Sequence, residues 1–163
     1  MKRSSTALKR GTIAGLLGAA TVAVWFFALD LAAGHPFRTP AALGHVLLFG
    51  GRGTPADITL GVVASYTLVH ILAFVLAGCV FVFIAEQVER APSFLLLAVM
   101  TAIVLEAVGV VNLAQAAQWG GLGIWSVIIA NILAVAVMGF YVWQTHPTLR
   151  QKITTAQPAP VRV

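Results

Sequence analysis

The sequence predicts an all-α membrane protein: a transmembrane four-helix bundle of up-down topology, with a short interfacial helix in the first outside loop. Three observations predict it. Hydrophobic residues make up 60% of the 163 positions, charged residues only 9%, and the mean hydropathy is +0.94. A soluble domain carries about 25% charged residues, so this chain lacks the polar surface to cover a water-soluble globule. Four apolar runs are each long enough for the roughly 20 residues that a helix needs to cross hydrocarbon. The basic residues gather at the ends of the chain, outside those runs.

The first run spans about residues 11–34, after Lys2, Arg3, Lys9 and Arg10. A secretory leader has an apolar stretch of about 7–15 residues, and this one is longer, so it reads as a span. Gly11, Gly15, Ala19 and Ala23 recur every fourth residue, the pattern that lets helices approach closely in lipid. Asp30 lies two turns beyond Ala23 and continues that stripe, which points its carboxylate at protein. Within the following loop, Thr39-Pro40 reads as an N-cap plus first-position proline, opening a helix through Phe49 that is too short to span. Its apolar residues suit an interfacial connector or a cover over the bundle mouth.

The second run spans about residues 56–85, opened by Thr54, Pro55 and Asp57 as cap, first residue and first-turn acid. Its lone Cys79 reads as a small packed residue. The third spans about residues 92–115 and starts at Ala91-Pro92-Ser93. The fourth spans about residues 122–143. It carries Ser126, Ala130 and Ala134 as a second small-residue stripe, and Trp119, Trp125, Tyr141 and Trp143 at the two interfaces. Residues 1–145 thus form one domain, and residues 146–163 read as a flexible cytoplasmic tail. With both termini inside, cytoplasmic segments hold eight Lys/Arg and outside segments two, Arg38 and Arg52. The positive-inside rule then places the protein in a cytoplasmic (inner) membrane with both ends in the cytoplasm. Basic termini suit lipid headgroups, and no basic face for nucleic acid exists.

Ionisable groups near mid-membrane cost about 2.5–3.5 kcal/mol each and default to functional candidates. His70, Glu106 and Asn131 fall near the centres of spans two, three and four, at one depth, with Tyr66 one turn from His70. A second polar set lies towards the outside: Asp30, Ser65, Asn112 and Gln115. The bland reading is a His70–Glu106 pair that fixes helix register. The sharper readings are a pocket for a small molecule such as a quinone, one axial ligand for haem, or a proton relay. No second histidine lies a turn from His70, so no metal site is predicted. His35, His45 and His146 read as solvated loop or tail residues. No phosphate loop, nucleophile elbow or zinc-protease pattern appears.

The segment Trp25-Phe26-x3-Asp30-x3-Gly34-x-Pro36-x2-Thr39-Pro40-x2-Leu43-Gly44, with Tyr66-x3-His70-x3-Phe74-x3-Gly78, resembles uncharacterised small bacterial four-span membrane proteins. The resemblance covers about half the chain and implies no activity, substrate or cofactor. It marks Asp30–Gly44 and the His70 face as the informative positions. The residues themselves favour a non-enzymatic accessory or assembly subunit that packs, as a homo-oligomer or with other membrane subunits, through its small-residue stripes. The rivals are a quinone, haem or other small-molecule binder at the His70 layer, and a small oligomeric transporter.

Overall fold

The computed structural model describes residues 2–50, 58–90, 123–147 and 151. These form four helices: α1 (Lys2–Ala32), α2 (Arg38–Phe49), α3 (Leu60–Arg90) and α4 (Ile124–Thr145). Three of them are long and apolar enough to cross a membrane, over Thr6–Ala32, Leu60–Val88 and Ile124–Thr145. The third predicted span, with Glu106, Asn112 and Gln115, lies outside the described residues, as do Thr54, Pro55 and Asp57.

Helix α1 begins at Lys2 rather than near Gly11, because nothing in the basic leader interrupts it. At 1.5 Å per residue its 31 residues measure about 46 Å, longer than the roughly 30 Å hydrocarbon core. It stops at Gly34, which takes a left-handed φ of 76°. The His35 amide donates to the Asp30 carbonyl and the Gly34 amide to the Leu31 carbonyl, so two last-turn carbonyls are satisfied by a Schellman turn. Helix α3 starts at Leu60, five residues after Pro55, the first helical residue of the proline-based reading. Thr59 caps it, its Oγ1 accepting from the Val62 amide at 3.4 Å.

Helix α1 is the centre of the arrangement. Its small-residue stripe meets α3 without an intervening side chain. A Cβ added to Gly11 would come 2.6 Å from the Cα of Cys79, and one on Gly15 would fall on the backbone of Phe74 and Val75. The fit is reciprocal, since a Cβ on Gly78 would fall on the backbone of Gly11 and Gly15. The order of these pairs makes α1 and α3 antiparallel. The other side of α1 meets α4, again antiparallel: Gly18 faces Met138, and the Trp25 indole N–H donates to the Ser126 carbonyl at 3.0 Å. Val22 and Phe26 pack with Val127, Ala130 and Ala134 in one buried cluster. Val82, Ala85 and Val142 form a second, near Ala7. Both small-residue stripes are therefore occupied within the chain, except that Ala23 is exposed.

Replacing Gly15 with valine is expected to destabilise the fold by about 1–3 kcal/mol, because a Cβ there must displace backbone. Gly139→Ala, where a Cβ meets nothing within 4 Å, is expected to be neutral or up to about 1 kcal/mol stabilising. Thermal unfolding of both variants in one detergent is the comparison; equal losses would show that the glycine contact does not hold α1 to α3.

Candidate functional site

The site is built where the close crossing ends. Beyond Gly15 the two helices make a polar contact: Nε2 of His70 lies 3.3 Å from the carbonyl oxygen of Ala19 and donates to it. The imidazole is half-buried between two aromatic rings of its own helix. Tyr66 stacks on it with centroids 5.6 Å apart, and Phe74 tilts against it at 4.7 Å. These are the four-residue steps that put side chains on one helix face. From His70 towards the α3 N-terminus a cleft of about 350 Å³ separates the two helices, with the start of α2 at its edge.

Asp30 closes that edge. It is only 6% exposed, and both carboxylate oxygens are engaged by one residue. The Thr39 amide donates to Oδ2 and the Thr39 hydroxyl to Oδ1, each at 2.7 Å. Thr39 is thus a residue of the first turn and not the N-cap read from the Thr-Pro pair. The N-cap position is Phe37, which makes no side-chain cap and sits at a left-handed φ of 67°. The carboxylate of the preceding helix replaces that missing cap and meets the positive end of the α2 dipole. A left-handed conformation costs a non-glycine residue about 1–2 kcal/mol, and the Asp30–Thr39 bonds together with the Phe27–Phe37 ring contact at 5.3 Å offset it. Pro40, with no amide hydrogen, leaves no orphan donor in that turn. Gly44 then lets α2 lie on Val62 of α3.

The cleft brings together three of the sequence candidates, Asp30, Tyr66 and His70. It does not bring in Ser65, half-buried elsewhere on α3, or Asn131, half-buried on α4. His70 turns to α1, and no hydrogen bond joins it to Asn131 among the described residues. Glu106, Asn112 and Gln115 lie outside those residues, so a His70–Glu106 pair has no described geometry. Sequence reading passed over Thr39 as the acid's partner and Phe37 as a wall of the cleft. The signal was present in an acid that ends an apolar run, followed by a glycine stop and a Thr-Pro helix start.

The histidines outside the site divide. His35 is exposed, as expected, and His45 is half-buried against Phe49 at 5.4 Å. His146, read as a solvated tail residue, is 2% exposed. Helix α4 runs on to Thr145, so His146 is its C-cap, and its Nδ1 donates to the Val142 carbonyl at 3.1 Å. Its Nε2 is buried with no hydrogen-bond partner among the described residues. Among the described residues, no three His, Cys, Asp or Glu side chains converge as metal ligands do.

No protein-family model, curated protein or solved structure matches the chain.

Asp30→Leu is expected to release the start of α2, with amide exchange at residues 39–44 at least tenfold faster than in the wild type. Asp30→Asn retains one acceptor oxygen and is expected to fall between the two, since a hydrogen bond to a charged group contributes about 1.5–3 kcal/mol. Hydrogen exchange by mass spectrometry reads the difference; unchanged exchange in Asp30→Leu would show that the carboxylate does not hold α2.

Proposed function

We propose that the protein is a four-span membrane protein of a cytoplasmic membrane that holds a lipid-soluble small molecule between α1 and α3. One observation carries this reading: Asp30, Tyr66 and His70 line a single apolar cleft of about 350 Å³. Pockets for small molecules are concave, mostly apolar and furnished with a few placed polar groups. Of the polar groups on the lining residues, the Tyr66 hydroxyl and Nδ1 of His70 have no hydrogen-bond partner among the described residues.

The helix directions support the fourth crossing. Helices α3 and α4 both run antiparallel to α1, hence parallel to each other. Helix α3 ends at the opposite end of the bundle from where α4 begins, and the predicted span at 92–115 lies between them. The Lys/Arg distribution supports cytoplasmic termini. For haem, His70 is a poor axial ligand as placed, because Nε2 is already bonded to Ala19; an organic ligand such as a quinone in its reduced, hydroxyl-bearing form fits better. The assembly reading draws on small-residue stripes, and those are packed inside the chain apart from the exposed Ala23.

Gentle detergent extraction followed by mass spectrometry of the bound organic fraction tests the binding reading. Wild-type protein is expected to carry a lipophilic molecule in near-stoichiometric amount, and Ala23→Phe, which fills the cleft, to carry at least tenfold less. Identical organic fractions from both would defeat the reading. Topology is tested separately in a Cys79→Ala background. A membrane-impermeant thiol reagent is expected to label His35→Cys only from outside and Gln144→Cys only from inside; labelling of both from one side would refute the assigned orientation.

A further inference from the structure

We infer that the cleft recognises a neutral, lipid-phase molecule through a hydroxyl group, which donates to Nδ1 of His70 and accepts from the hydroxyl of Tyr66. This rests on the binding reading above and adds the chemistry of the ligand.

The donor pattern follows from the helix contact. A carbonyl oxygen has no proton to give, so the bond to Ala19 places the ring proton on Nε2. In the uncharged imidazole Nδ1 is then an acceptor, no donor among the described residues meets it, and a ligand donor satisfies it. The Tyr66 ring stacks on His70, so its hydroxyl belongs to the same wall and supplies a donor of its own. An alcohol or phenol oxygen answers both groups at once, giving one hydrogen bond and receiving one. A ketone or ether answers Tyr66 alone and leaves a polar nitrogen unpaired in an apolar cleft, which costs about 1–3 kcal/mol.

Charge sets the second limit. Among the described residues the acid lining the cleft is Asp30, with both oxygens committed to Thr39, and no lysine or arginine lines it. An anion would meet the negative charge of Asp30 with no lysine or arginine beside it among the described lining residues, and a cation would find both oxygens of that carboxylate already engaged. Access sets the third. Val24 and Phe27 both line the cleft and are exposed on the flank of α1, which in a membrane faces lipid. The route in is therefore lateral, from the bilayer. A volume of about 350 Å³ holds a ring or a short run of methylenes and leaves a longer tail among the lipids.

The test uses the full chain in phosphatidylcholine nanodiscs, labelled with ¹⁵N-histidine. The His70 signals are identified by their loss in His70→Gln. Four probes are compared: decylhydroquinone, dodecanol, dodecyl methyl ether and dodecanoate. The hydroxyl probes are expected to shift the His70 Nδ1 resonance. Tyr66→Phe, which preserves the stacked ring, is expected to weaken them about three- to tenfold. A shift with decylhydroquinone alone assigns the hydroxyl to an aromatic ligand, and a shift with dodecanol too assigns it to lipid alcohols more generally. Equal binding of the ether or of dodecanoate would overturn the hydroxyl inference while leaving a ligand site in place. Failure of all four to perturb His70, with the wild-type fold intact, would overturn the site as well.

Discussion

Two helices in a bilayer gain nothing by exchanging lipid contacts for each other's leucines, so their association must come from contacts that lipid cannot make. In this protein that contact is backbone against backbone at Gly11, Gly15 and Gly78. It fixes the register of α1 on α3 to within a residue, because any slip drives a side chain into a main chain. Once that register is set, Ala19 must stand opposite His70, and the ring finds a carbonyl rather than a side chain as its first partner. Above that level the aromatic residues Phe26 and Tyr66 replace glycine, and the close approach gives way to a cleft. The position of the site is thus a consequence of where the small residues stop.

The opposite edge of the cleft is governed by a single buried acid. A carboxylate at the end of a membrane helix is costly to desolvate, and the cost falls when it is met by hydrogen bonds and by a helix N-terminus. Thr39 supplies two bonds and α2 supplies the dipole. The arrangement also explains the strained Phe37: the chain must turn sharply enough after Gly34 to bring the first turn of α2 back onto Asp30.

Much of this was legible beforehand. The spans at α1, α3 and α4, the stop at Gly34 and the short helix after it follow from apolar run length and glycine or proline punctuation. The stripe at Gly11 and Gly15 announced a close contact, though not that its partner would be α3 of the same chain. Boundaries were less legible: capping by Thr59 and continuation through Lys2–Arg10 depend on local competition between possible starts. The site was half legible. Tyr66 and His70 share a face by spacing alone, and Asp30 was marked as protein-facing. What spacing cannot give is the rotation of one helix about its neighbour. That rotation turned His70 towards Ala19 and left Asn131, at similar depth, on another helix outside the cleft. His146 was misread because a residue three past the last predicted helical position was assumed to be in water, whereas α4 runs further and folds it in as a cap.

The central place of α1 has a consequence for how the chain is made. Its partners come from two separate later stretches of the sequence: α3 follows soon after it, and α4 is the last of the described helices to be synthesised. During translation the α1–α3 hairpin can close early, with the glycine contact and the cleft already formed. Val22 and Phe26 meanwhile present an unpaired flank to lipid until Val127 and Ala130 arrive. The first helix inserted is also the last to be finished, so a chain interrupted before α4 would hold the α1–α3 cleft without the α1–α4 core.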